Sequence, residues 1–280
     1  MILDVRGVSR SFRAIGRPPV VALDDVYLRV PEGDTLGLVG ESGSGKSTLL
    51  RCVMRLEKPD EGEVLFRGRD ALPLRGKGLR AYRRQVQMVF QDPASSLSPR
   101  MTVEQLVGEG MLVHRLERSA ARRRERVAEL LDAVGIPPDA MARHPVSFSG
   151  GQLQRIAIAR ALAVEPSLLV CDEPVSALDV SVQAQVLNLL LRTQARTGLS
   201  ILFVSHDLAV VKYLCPSIAV LEKGRIVEEA SRDKLFQAPR AAYTRALIDA
   251  VPNPDPVRPG PGSRPPKPRP GGNDAEGNHE

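Results

Sequence analysis

The sequence predicts an α/β fold with a mainly parallel sheet, an antiparallel β-subdomain at the N-terminus and an inserted α-helical subdomain. Three observations carry this. Apolar, β-branched runs bounded by glycine or charge recur at 35–39, 86–90, 168–171, 201–204 and 218–221, with helical patterns between them. The first thirty residues, ILDVRGVSRSF and VVALDDVYLRV, instead alternate apolar and polar, the period of strands with one wet face. Over about 94–147 the composition turns helical, as in VEQLVGEGMLVHRLERSAARRRERVAELLDAVG. No internal repeat is visible.

With 280 residues, 42% of them hydrophobic, the chain can bury a sizeable core, expected over 1–250. The stretch 251–280, VPNPDPVRPGPGSRPPKPRPGGNDAEGNHE, is rich in proline and glycine and has almost no apolar residues after Val257. Burial there cannot offset the entropy of ordering, so a disordered tail is expected. No stretch approaches the roughly 18 apolar residues of a membrane span, and MILDVRGVSRSF carries charge where a signal peptide is apolar, which predicts a cytosolic chain. Cys52, Cys171 and Cys215 are far apart in apolar or mixed runs, which predicts three buried free thiols.

The formal charge of +6 permits a phosphate-rich partner. The tail adds nothing net, because Arg258, Arg264, Lys267 and Arg269 cancel Asp255, Asp274, Glu276 and Glu280. The basic run ARRRERV has no interleaved aromatics to stack on bases and reads as a solvated helix face, so no nucleic acid is expected.

Residues 40–48, GESGSGKST, match G-x-x-x-x-G-K-[ST] between an apolar strand, TLGLVG, and a helix, KSTLLRCVM. Gly40, Glu41, Ser42, Gly43, Ser44, Gly45, Lys46, Ser47 and Thr48 are the expected ATP-binding residues, the glycines letting successive N–H groups curve around the β-phosphate. Lys46 neutralises β- and γ-oxygens, the Ser47 hydroxyl can ligate Mg²⁺, and Thr48 continues into the helix. The run SLLVCDEP then carries Asp172 to a strand's carboxyl edge, where open parallel sheets bind ligands. Asp172 is placed to hold Mg²⁺ through water, and Glu173 to polarise an attacking water.

A second glycine pair, SFSGGQLQR at 147–155, opens another helix in the manner of a phosphate site. With the nucleotide held by the first loop, this one calls for a phosphate from elsewhere. Here the residues resemble the ATP-binding subunit of an ATP-binding cassette (ABC) transporter, over residues 3–256. The motifs stand in that family's order: VFQDP, then SGGQLQRIAIARAL, then SALD after Glu173, then LFVSHD. The resemblance implies a phosphate-loop NTPase core, the ABC ATPase cassette. It also implies that Gln91 is the lid glutamine, sharing Mg²⁺ with Ser47 and Asp172, and that His206 contacts the γ-phosphate. Ser149, Gly150, Gly151 and Gln152, with Asp179 of the subunit-crossing loop, would clamp the ATP of an opposing subunit, and Phe12 in VSRSF matches the adenine-stacking aromatic. One departure is visible: the family usually has leucine where this chain has Phe148, which predicts altered packing with phosphate binding kept.

Within the family, GESGSGKSTL, FQDPASSLSPRMTV, EPVSALDVSVQAQVLNLL and AAYTRALIDAVPNPDP resemble the oligopeptide/dipeptide importer group, whose relatives also import nickel or glutathione. The His-Pro that often precedes its Tyr-Thr is here Ala241-Ala242. The resemblance implies two cassettes sandwiching two ATP molecules at the cytoplasmic face of the cell membrane. Two multi-span permease subunits would be the membrane partners, SSLSPRMTV the docking surface, and an extracytoplasmic substrate-binding protein an indirect partner. The second ATPase subunit would be a different chain or a second copy. The rival class is a cytosolic ABC protein acting on nucleic acid or ribosomes, which usually carries two cassettes or a long coiled coil; neither is present here.

Overall fold

The computed structural model describes residues 1–250 apart from 14, 15, 17 and 177, so the expected tail at 251–280 lies outside the described residues. In chain order the elements are β1 (Leu3–Phe12), β2 (Val20–Val30), β3 (Thr35–Val39), α1 (Lys46–Val53), β4 (Glu61–Phe66), β5 (Arg69–Asp70), α2 (Gly76–Gln85) and β6 (Val86–Val89). A helical stretch follows: α3 (Pro93–Ser96), α4 (Val103–Val113), α5 (Ala120–Ala133), two 3₁₀ turns at Pro138–Ala142 and Pro145–Ser147, and α6 (Gly150–Leu162). The chain then alternates through β7 (Leu168–Asp172), α7 (Val180–Thr197), β8 (Ser200–Val204), α8 (Leu208–Leu214), β9 (Ser217–Glu222) and β10 (Arg225–Ser231). It closes with α9 (Arg232–Gln237) and α10 (Ala242–Asp249).

Strands β2-β1-β4-β5 form one sheet, antiparallel throughout. The other has the order β10-β9-β3-β8-β7-β6, parallel except for the edge hairpin of β9 with β10. The five apolar runs read from the sequence are its five parallel strands. They are uninterrupted because successive residues face two different cores. Leu36, Leu38, Leu168, Val170, Leu202 and Val204 pack with α1 and the antiparallel sheet. Val39, Leu169, Cys171, Ile201 and Phe203 pack with the helical elements. A strand wet on neither face has no polar alternation to display.

The three cysteines are buried free thiols, as expected. Burial pushes the Cys52 thiol up to about 11 and raises those of Cys171 and Cys215 as well. Among the described residues no helix is long and apolar enough to cross a membrane.

Sheet order positions the site. Reading β3-β8-β7-β6, the carboxyl ends deliver in turn the loop at Gly40, His206, the Asp172–Glu173 pair and Gln91. β3 has β9 on its other side, so the chain diverges to both sides of the first loop. That switch point opens the crevice in which parallel sheets bind ligands.

Candidate functional site

The first loop wraps an embedded cation. Lys46 is only 6% exposed, and its Nζ donates to the carbonyl oxygens of Gly40 and Glu41, both at 2.7 Å. Burial lowers the pKa of this ammonium, against the opposing pull of Glu173, Asp172 and Glu41. Gly45 caps α1 at φ 111°, and a Cβ there would lie 2.4 Å from the Ala22 carbonyl, so only glycine lets β2 approach the loop this closely.

Most of the loop, from Glu41 to Thr48, lines a cleft of about 660 Å³ together with Val20, Val21, Ala22, Gln91, Glu173 and His206. Glu173 sits just past β7 at φ 46°, a left-handed conformation unfavourable for a side-chain-bearing residue. Its N–H donates to Val204 O at 2.9 Å, and its carbonyl accepts from the Ser176 hydroxyl at 3.1 Å. The strained backbone is thereby held so that the carboxylate enters the cleft. Glu173 Oε2 accepts from Gln91 Nε2 at 3.1 Å, and His206 Nδ1 lies 3.1 Å from the same oxygen. The structure thus brings two residues onto one carboxylate oxygen of a third, Gln91 and His206 onto Glu173, from three separate strand ends.

Asp172 is not part of that lining. Burial and the neighbouring Glu173 raise its carboxyl above the ordinary range, while Lys46 and Arg51 pull it down. Such a group is poised to gain from a cation. Among the described residues no cluster of three or more His, Cys, Asp or Glu is arranged to hold a metal.

The second loop lies apart. None of Ser149, Gly150, Gly151, Gln152 or Asp179 lines the first cleft. Ser149 caps α6 with a capping box: its hydroxyl accepts from Gln152 N at 3.4 Å, and its own N–H donates to Gln152 Oε1 at 3.0 Å. Ser149, Gly150 and Gln152 are exposed, and a Cβ on Gly151 would meet Val182 Cγ1 at 2.7 Å. The helix end therefore packs against the start of α7, which Asp179 caps by accepting from Val182 N at 2.9 Å. Phe148 packs on the core with the Arg143 guanidinium 4.3 Å from its ring centroid.

Phe12 is 37% exposed at the end of β1, opposite Val20 in register, with the Arg10 guanidinium 4.9 Å from its ring centroid. Sequence reasoning missed its neighbours Val20 and Val21, which line the cleft at 66% and 55% exposure. It also missed a contact onto the loop from Tyr243, whose hydroxyl accepts from Glu41 N at 2.9 Å.

The family model described as ABC transporter matches residues 23–176, more than half of the chain. The chain belongs to that family. Its residues 227–273 match a second model, the oligopeptide/dipeptide transporter C-terminal region, which places it in that branch. The oligopeptide transport ATP-binding protein OppF of Streptococcus mutans is 47% identical over 256 residues, 91% of this chain and 83% of that protein. Its Bacillus subtilis counterpart is 46% identical over 256 residues, 91% and 84% of the two chains. A solved ABC cassette, MJ0796 as a dimer in a post-hydrolysis state bound to ADP and Pi, superposes with a TM-score of 0.76 at 31% identity. That match covers 82% of this chain and 98% of the cassette. The protein is thus an ATP-binding, ATP-hydrolysing subunit of an ABC transporter, with the cassette fold expected from its motifs.

Proposed function

We propose that this ABC ATPase powers the import of di- or oligopeptides, from the cytoplasmic face of the membrane, through two permease subunits to which it binds with a second ATPase subunit. The observation that carries the reading is the pairing, in one chain, of a complete phosphate loop with an exposed second helix N-terminus outside its cleft. A chain built this way needs an opposing cassette to complete each ATP site. The peptide assignment is supported by the match at 227–273 and by relatives named for oligopeptide transport.

In the proposed cycle Lys46 turns from the carbonyls of Gly40 and Glu41 to the β- and γ-oxygens of ATP, while loop N–H groups surround the β-phosphate. Ser47, Gln91 and Asp172 would hold Mg²⁺, which would neutralise charge on the transferring phosphoryl group. Glu173 orients and polarises the in-line water, with His206 and Gln91 moving from its Oε2 toward the γ-phosphate. Phe12 stacks on adenine beside the apolar wall of Val20 and Val21. Ser149, Gly150, Gly151 and Gln152, with Asp179, close on the partner's ATP.

The test is to express a tagged Glu173→Gln variant in the native host, add Mg-ATP, solubilise the membranes and identify what co-purifies. Two multi-span permeases with a second cassette are expected. Recovery of ribosomes or DNA without a permease would overturn the reading.

A further inference from the structure

Tyr243 ties the C-terminal segment to the phosphate loop. Its hydroxyl accepts from Glu41 N–H at 2.9 Å, and Lys46 Nζ donates to the carbonyl of the same residue at 2.7 Å. Glu41, which lines the cleft, is therefore held at both its main-chain groups, one from within the loop and one from a residue 202 positions away. The tyrosine is itself anchored. The Glu228 carboxylate accepts from the N–H groups of Arg240 and Ala241, at 2.9 and 3.0 Å, and so fixes the entry to α10. Thr244 is buried, and Tyr243 packs half-buried against the core.

We propose that Tyr243 is a positioning residue for ATP: its hydroxyl holds the opening turn of the phosphate loop in the shape the nucleotide requires, so that α10 docking and nucleotide occupancy favour each other. A loop already held in place loses less freedom on binding, which raises affinity without any contact to the ligand. Because coupling is reciprocal, a bound nucleotide must hold α10 down by the same factor. The segment that distinguishes this branch would thereby report whether the site is filled. The inference rests on the reading that residues 40–48 hold ATP.

The test uses the full chain as wild type, Tyr243→Phe and Tyr243→Ala, titrated by calorimetry with the non-hydrolysable analogue Mg-AMP-PNP. Hydrogen exchange at 242–249 is followed with and without nucleotide. In the wild type the nucleotide is expected to slow exchange across α10. Tyr243→Phe keeps the ring packing and loses only the bond, so it is expected to weaken binding roughly three- to tenfold and to abolish the slowing. If Phe binds as the wild type and only Ala weakens binding, the role is packing and the proposal is overturned. Wild-type affinity in Tyr243→Phe with protection intact overturns it equally. Failure of the wild type to bind nucleotide at all would instead overturn the reading of the loop.

Discussion

The two glycine-rich helix N-termini of this chain look alike as sequence and differ in what surrounds them. At the first, Lys46 is buried inside its own loop and two acidic residues stand at the end of β7, two strands away. At the second, Ser149 and Gln152 satisfy each other in a capping box on an exposed surface. The arginines at the second are bonded to neutral partners within and beside it, Arg143 to Ser147 and Arg155 to Gln185. Both present helix N–H groups, but only the first buries a cation inside its own turn. A helix terminus alone offers about half a charge, too little to outcompete water for a phosphate without further contacts. That difference supports the proposal that the first loop binds by itself and the second adds to a site organised by another chain.

The comparison is tested most severely at the carboxylate that only the first site possesses. Glu173→Gln is expected to leave nucleotide affinity within about twofold and to slow turnover by about 10²–10⁴-fold, because a general base is lost while the loop is untouched. Steady-state hydrolysis alongside binding measurements checks this, and turnover within tenfold of wild type would remove Glu173 from that role. Ser149→Arg places bulk and charge on the second terminus, away from the first cleft. It is expected to leave ATP affinity of the isolated chain unchanged and to cut hydrolysis in the assembled transporter by about 10²–10³-fold, the scale of losing transition-state donors. Weakened binding in the isolated chain would show that the two loops are not independent.

A smaller effect separates the two acidic residues by sign. The folded Asp172 carboxyl titrates above its ordinary value, so its ionised form costs folding free energy at neutral pH and nothing once pH falls below about 3.9. Asp172→Asn is expected to raise the nucleotide-free melting temperature near pH 7, with the gain vanishing in acid. Asp179 is the reverse. The Ser181 hydroxyl and the Val182 N–H hold its carboxyl below the ordinary range, so its contribution is present at neutral pH and lost as pH falls through that lowered value. Asp179→Ala is expected to destabilise the fold. Melting curves of both variants against pH check the opposite signs.

What the sequence disclosed follows from the same physics. The five parallel strands were legible because both faces are buried, and Asp172, Glu173 and His206 were legible because the ends of such strands share one edge, whereas Gln91 was legible only through the resemblance of VFQDP to its family. Strands β4 and β5 and helix α2 were not. Val64 is the one buried side chain of β4, and α2 turns only Leu79 and Tyr82, three residues apart, onto the core, an apolar face too short to stand out among its charges. Val20 and Val21 read as ordinary strand residues, and nothing local to Tyr243 announces a bond to residue 41. Contacts between distant segments leave no spacing to read.

Phe148 offers the finest test of the comparison, since it stands where the family usually has leucine, immediately before the second loop. Its ring packs on the core and faces the Arg143 guanidinium at 4.3 Å. The same guanidinium donates to Ser147 O at 2.6 Å and to Ser147 Oγ at 3.2 Å, so the aromatic ring and the turn share one cation. Leucine would keep the apolar packing and lose the attraction of the ring for the cation, about 0.5–1 kcal/mol at a partly exposed site. Phe148→Leu and Arg143→Met, combined in a double-mutant cycle on thermal stability, are therefore expected to show a coupling of about that size. Zero coupling would mean that the phenylalanine is only a larger leucine. A coupling present in stability, with unchanged hydrolysis in the assembled transporter, would mean that the ring steadies the approach to the second loop without entering its phosphate contacts.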